Sequence, residues 1–414
     1  MKIKFNSINF LRDKNKIIIL IGVLLISLQI IYVLQKNEYR DFKIYYAAAK
    51  AFLNDDNVYS IENLNKYSSV KIDLPFIYPP ISLLFFLPFQ FIQFKLSFLF
   101  YIASNLISLL FLIKLYKKLI GEERFNFFII LLLFAYNASF LTQIRANNVT
   151  IFEQLFLWIA FLHLGNKKYY LFVLFVLLAS VFKLTPLFFV LLLLFLPSKE
   201  RFKYLMLSFI SVIFLIFLNF IFSSDLSLTF LNEIILNRVS KEGSSINPNL
   251  YSFINDFLQI VRIKELNIIK TSINIELFIY IILTFVILIV IGRNIKKYSI
   301  DQNLILYISS FILVYFLILP RVMFYQHFIL VPSLFYILTK VKIHNSLLRY
   351  LFLTFIFFPT IDFHRRILGR SEQMVPDSLL FLILDYLPLL SLMLGFYILN
   401  NHLKKAKSEI ILIN

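Results

Sequence analysis

Six ionisable side chains carry the candidate chemistry of this chain: Asp41, Arg145, Lys183, Arg238, Arg321 and His327. Each stands at an end or an interruption of an apolar segment, and ionisable groups at membrane depth are costly enough to mark a function by default. An acid facing several fixed cations suits displacement of an anionic leaving group such as a phosphate. The acid takes up a proton as general base, and the cations hold the charge that departs.

Every one of these residues also has a plainer reading. Asp41 opens a stretch of helical spacing in which Tyr45, Ala48, Ala49 and Phe52 share one face while Lys43, Ala47 and Lys50 share another. That pattern predicts an amphipathic helix on the membrane surface, with Asp41 as either its N-cap or a base. Lys183 is the single charge in the apolar run 169–197, and it either snorkels or lines a cavity. Arg321 follows Pro320, where it meets lipid headgroups or substrate. His327 is a hydrogen-bonded core histidine or a participant, and Arg145 satisfies helix-end carbonyls or an anion. Asp55 and Asp56 lie in an Asn-Asp-Asp-Asn run whose ordinary role is a turn, so no metal site is assigned.

The elements that position these groups follow from composition. Of 414 residues, 60% are hydrophobic and 50 are phenylalanine, far beyond a soluble domain. Uncharged stretches at 17–35, 126–144, 205–224 and 302–320 have about the 20 residues a membrane-spanning helix needs. The net charge of +18 falls mostly in short loops between such stretches, as the positive-inside rule requires, so nucleic acid is not implied. The first apolar run follows Lys2, Lys4, Arg12, Lys14 and Lys16 but is as long as a full span and has no small-residue cleavage site. It reads as a retained helix with its N-terminus in the cytoplasm. The absence of cysteine excludes disulfides, thiolate metal sites and cysteine nucleophiles.

The expected architecture is an all-α, polytopic membrane bundle forming one domain over residues 1–414, with about twelve crossings, eleven to thirteen, and both termini inside. Residues 36–80 form a first external loop holding Asp41, and 223–272 form a second. Segment 81–94 is broken by Pro88 and Gln90 and reads as re-entrant or interfacial. Taken as one helix, 169–197 would put the clusters Lys167/Lys168 and Lys199/Arg201/Lys203 on opposite sides. The charge rule instead predicts two short arms meeting at an outward-facing turn around Lys183. In this topology all six candidate groups fall on the external side.

The ordered motifs resemble glycosyltransferase family 87. They are Asp41 with Tyr45-Tyr46-Ala-Ala-Ala, Asn57-Val58-Tyr59, Tyr78-Pro79-Pro80, Gln143 with Asn147-Asn148, Phe182-Lys183-Leu184-Thr185-Pro186, Asn247-Pro248-Asn249, and Pro320 followed by His327. The resemblance spans about residues 40 to 335. It departs from the family where Thr142 precedes Gln143 in place of a glycine, and in the Asn-Asp-Asp-Asn run before Tyr59. The resemblance implies a GT-C fold, a polyprenyl-phosphate-linked sugar donor with no nucleotide sugar, a lipid or glycan acceptor, and no cofactor. It implies that Asp41 is the catalytic base. Residue pattern and resemblance together assign His327 a catalytic part beside Asp41, and Lys183, Arg145, Arg321, Arg238, Gln143, Tyr45, Tyr78 and Asn249 to the donor phosphate and substrate. The expected setting is the inner (plasma) membrane, with the site on its external face. Two rival classes share these features: a transporter or flippase for an anionic substrate, and a polymerase or ligase acting on lipid-linked sugars. No repeated halves favour the first, and an acid in the first loop is out of place for the second.

Overall fold

The paired prolines at 79 and 80 end an extended segment and start a 3-10 turn, because proline fixes its own φ and disfavours helix in the residue before it. The computed structural model describes residues 7–36, 39–121, 124–236, 247–265, 275–296, 298–300, 303–360 and 376–411. Among them every regular element is helical.

The N-terminal part comprises α1 (Ser7–Lys36), α2 (Arg40–Leu53) and α3 (Ile61–Lys66), followed by α4 (Leu83–Phe86) between the 3-10 segments Pro80–Ser82 and Leu87–Phe91. The interruption expected at Pro88 and Gln90 appears as this broken, short-helix path. Then come α5 (Phe94–Ile120), α6 (Phe125–Ala146), α7 (Thr150–Gly165) and α8 (Tyr169–Phe182). A 3-10 segment, Thr185–Phe195, separates α8 from α9 (Ser198–Phe222), which leads into α10 (Ser224–Thr229) and a π-helical stretch, Phe230–Leu236. The C-terminal part contains α11 (Leu250–Glu265), α12 (Ile275–Ile295), α13 (Leu304–Ile318), the 3-10 segment Phe324–Leu330 running into α14 (Val331–Lys340), α15 (Ser346–Phe357), α16 (Leu379–Asp385) and α17 (Leu387–Ile411).

Five helices among the described residues are long and apolar enough to cross a membrane: Ile17–Lys36 within α1, and α5, α6, α9 and α12. The bent pair α16–α17, which turns by 71°, makes a sixth if it counts as one span. The remaining apolar helices are shorter. Several of the segments expected to cross are thus interrupted, at Lys183, at Pro320 and beside Pro388, where a missing proline N–H or an extended residue breaks the ladder. Only 11% of the apolar window of α9 and 6% of that of α12 is buried, against 67% for α6. The first two therefore form the lipid-facing rim, while α6 and the almost wholly buried α13 form the inner wall.

Two apolar cores result. The larger joins α6 to α8 with α13, α14 and α17. The smaller is aromatic and is built mainly on residues 39–102: Phe42, Tyr45, Phe76, Tyr78, Phe86, Phe98 and Tyr101 pack together with Phe152 and Phe182. Phe42 lies 5.0 Å from Tyr101 and 5.3 Å from Phe98, and Tyr45 stacks on Phe86 at 4.4 Å between ring centroids. Such pairs add to area burial. Here the structure departs from the expected surface helix. Alanines 47, 48, 49 and 51 are fully buried, because small side chains let α2 approach its neighbours closely, and only Arg40, Lys50 and Leu53 on this helix are exposed. Asp41 is thus carried by an enclosed helix.

Candidate active site

The α6–α7 junction is the structural centre of the site. α6 stops at Asn147, whose φ of 53° is left-handed, a conformation that asparagine tolerates better than most residues. Gln143 Nε2 donates to the carbonyl of Asn148 at 3.0 Å and fixes the turn from within. Two residues later α7 begins, and Asn148 Oδ1 accepts from both the backbone N–H (3.0 Å) and the hydroxyl (2.5 Å) of Thr150.

Those two donors set the orientation of the Asn148 amide. Its oxygen is committed to Thr150, so its nitrogen points the other way, donating to Asp41 Oδ2 at 2.5 Å and to the Tyr78 hydroxyl at 2.9 Å. Tyr78 pairs with the Tyr45 hydroxyl at 2.8 Å, and the Tyr45 oxygen accepts from the N–H of Val149 at 3.3 Å. Asp41 does not cap its helix: the N-cap is Tyr39, and Asp41 stands in the first turn of α2. Burial lifts its carboxyl above the ordinary carboxylate range, while the Asn148 hydrogen bond and then the Lys183 charge pull it back. Burial also holds the Tyr45 and Tyr78 hydroxyls protonated, so they act as hydrogen-bonding groups and not as bases.

Lys183 lies where α8 breaks, with extended φ and ψ of −146° and 138°. Pro186 explains the break, since a continuing helix would clash with the Phe182 carbonyl and gain no hydrogen bond from the proline. The arms on either side are α8 and the 3-10 segment Thr185–Phe195, so the predicted meeting of two short arms at Lys183 describes the local geometry. Lys183 Nζ donates to Thr150 Oγ1 at 2.7 Å and lies 3.3 Å from Glu153 Oε2 on α7. A continuous polar track therefore runs from Asp41 through Asn148, Thr150 and Lys183 to Glu153.

The track forms one wall of a cavity of about 530 Å³, a size suited to a small-molecule site. Asp41, Glu153, Lys183 and Arg321 are its charged lining residues, and Tyr45, Tyr78, Thr185, Tyr315, Tyr325 and Gln326 add polar groups. Much of the remaining lining is apolar and includes Ile44, Ile77, Phe230, Ile234, Leu319 and Ile329. Arg321 is presented by an extended segment fastened by the residues before α11: Asn247 Oδ1 accepts from the N–H of Val322 at 2.6 Å. Tyr315 donates to Thr185 Oγ1 at 2.8 Å and ties α13 to the Lys183 break.

Of the residues expected from sequence, Asp41, Tyr45, Tyr78, Lys183 and Arg321 line this cavity, and Gln143 braces the turn behind it. Arg145 is not brought to it. Its guanidinium lies 4.3 Å over the Tyr32 ring and donates to that hydroxyl at 3.0 Å, joining α6 to α1. His327 sits behind the cavity wall, its Nδ1 against the Phe324 carbonyl at 2.9 Å and its ring between Tyr136 and Phe316. Asn249 caps α11, accepting from the Ser252 N–H at 2.9 Å. Arg238 lies outside the described residues. Asn148, which the sequence offers only as part of a motif with Gln143, joins Thr150 and Glu153 in completing the site. Their signal in the sequence is a cluster of polar side chains, Asn147-Asn148-Val149-Thr150 and Glu153, where an apolar helix hairpin needs only a turn.

A family model, glycosyltransferase family 87, matches residues 76–320 of the chain. No curated protein and no solved structure matches it.

Proposed function

We propose, for a chain that belongs to glycosyltransferase family 87, an inverting transfer of a sugar from a polyprenyl-phosphate donor to a hydroxyl of a lipid or glycan acceptor. Membership makes the protein a glycosyltransferase, and its apolar helices make it a multi-pass membrane protein. The identity of the donor, the stereochemical course and the external face are the present reading. So are a GT-C arrangement with about twelve membrane segments, long and short together, and residence in the inner membrane.

The observation that carries the reading is the asymmetric setting of Asp41. Its Oδ2 is held by Asn148, while the carboxylate lines the cavity, so its other oxygen is available to an acceptor hydroxyl. Asp41 precedes the matched segment, so its role rests on this geometry. In the reaction the acceptor oxygen bonds to the anomeric carbon, and the bond from that carbon to the phosphate oxygen breaks. The electron pair leaves with the lipid phosphate, and the acceptor proton passes to Asp41. A single displacement inverts the configuration. Asn148 steadies the carboxylate before the step without accepting the proton, since an amide is no base near neutral pH.

Lys183 and Arg321 face the same cavity from other elements and supply positive charge for the departing phosphate in a partly desolvated setting, where preorganised charge is most effective. The apolar lining that includes Phe230, Ile234 and Leu319 offers the first isoprene units a surface. Arg145 and His327, candidates in the sequence that do not line the cavity, keep structural contacts in this reading. The decisive assay offers purified protein in lipid discs two labelled donors, a polyprenyl-phosphate sugar and a nucleotide sugar. Transfer from the first alone is expected. Transfer from the nucleotide sugar, or movement of intact donor across vesicles without transfer, overturns the reading.

A further inference from the structure

Among the charged groups lining the cavity, Glu153 is the one that the transfer step leaves without a task. It is 1% exposed, and its Oε2 lies 3.3 Å from the Lys183 ammonium. A lysine has three N–H donors. One is given to Thr150 Oγ1 at 2.7 Å and a second is within reach of Glu153, which leaves the third for the cavity. An anion held by Lys183 therefore shares its ammonium with a buried carboxylate that lines the same cavity.

We propose that Glu153 is a positioning residue that, through its ion pair with Lys183, keeps the cavity from trapping the lipid phosphate released by transfer. The inference rests on the reading of the site given above. Its logic is a change of charge during turnover. The donor is a phosphodiester with one negative charge. The leaving group is a phosphate monoester whose second proton has a pKa of about 6, so it carries nearly two charges at neutral pH.

Lys183 and Arg321 attract the product more strongly than the donor for that reason alone, and unopposed they would make release slow. A fixed carboxylate beside Lys183 repels the monoester about twice as strongly as the diester. Its effect falls mainly on the product. With Asp41 and Glu153 against Lys183 and Arg321, the charged lining of the empty cavity is balanced, and the attraction that remains is local to the Lys183 end.

The test compares binding of two probes, farnesyl phosphate and its methyl diester, to the full chain in lipid discs. Glu153→Gln keeps the size and an acceptor for Lys183 but removes the charge. It is expected to lower the Kd of the monoester about tenfold or more and that of the diester by a smaller factor. In transfer assays kcat and the donor KM should fall together, and farnesyl phosphate should inhibit at lower concentration. A purely structural Glu153 gives raised or unchanged Kd values for both probes, and either result overturns the proposal, as does an equal fall in both. If wild type binds neither probe, the reading of the site itself fails. If Glu153→Gln does not fold, Glu153→Asp decides: drawing the charge back from Lys183 must still lower the monoester Kd, by less, and an unchanged or raised value is fatal.

Discussion

Asn148 Nδ2 lies 2.5 Å from Asp41 Oδ2 across 107 residues of sequence, and its side-chain oxygen is held in place by Thr150. The acid at the start of α2 is thereby registered against the α6–α7 turn of the bundle, and the consequences of altering either partner are specific.

Asp41→Asn is expected to insert, purify and fold like the parent while losing about a hundredfold or more of its transfer rate, the usual contribution of a general base. An asparagine oxygen still accepts the Asn148 proton, so the fold loses little. Burial raises the Asp41 pKa, so its contribution to stability is fully present below the ordinary value of 3.8 and is lost as pH rises through the folded value. At neutral pH the ionised carboxylate is a net cost, and Asp41→Asn should melt no lower than wild type. A clearly lower Tm with retained activity would reverse the assignment of base and scaffold.

Asn148→Ala removes the hydrogen bond that stabilises the ionised form of Asp41. The base must be deprotonated to act, so the acid limb of the rate–pH profile should move to higher pH. Activity at neutral pH should drop by roughly tenfold or more, with partial recovery at alkaline pH. A uniform loss at every pH would instead mean that Asn148 serves only the fold.

Lys183→Met leaves Glu153 buried without its partner, a situation that costs about 3–5 kcal/mol when one member of a buried pair is removed. The single variant should therefore be less stable as well as demand more donor lipid. The double variant Lys183→Met/Glu153→Gln should regain most of the stability but only the small part of the donor affinity that loss of the Glu153 charge returns. Thermal melts and donor KM values on the four proteins of the cycle separate the two effects. A double variant with the donor affinity of wild type would remove Lys183 from the phosphate site.

Topology can be read by cysteine labelling, because the chain has no cysteine of its own. Both Asn54, just after α2, and Lys118, near the end of α5, are exposed. A membrane-impermeant reagent applied to spheroplasts should label Asn54→Cys and spare Lys118→Cys until the membrane is opened. The reverse pattern would invert the orientation drawn from the basic loops.

What could be read in the sequence depended on contrast. Lys183 and Asp41 stand out because a charge in an apolar setting has few innocent explanations, and the helix break at Lys183 follows from Pro186. The role of Asn148 could not be read that way. A polar residue between two helices is ordinary turn chemistry, and only the fold reveals that its amide faces an acid contributed from far earlier in the chain. Arg145 misled for the opposite reason: its aromatic partner, Tyr32, is 113 residues away, so nothing local distinguishes a cation over a ring from one awaiting an anion. The surface setting expected for α2 failed because periodicity records one apolar face, whereas the aromatic loop folds over the others.

The separate aromatic core also bears on the order in which the protein is made. Asp41 leaves the ribosome well before Asn148, and at about 5–20 residues per second the 107 residues between them take roughly 5 to 20 s. The aromatic core draws on Phe152 and Phe182 as well, so the first loop cannot close until α7 and α8 have been delivered. A chain arrested before that point carries its acid with no register and no track to Lys183. The site is completed later still, because Arg321 and Tyr315 line the same cavity, and a nascent chain has no assembled site before its bundle is nearly finished.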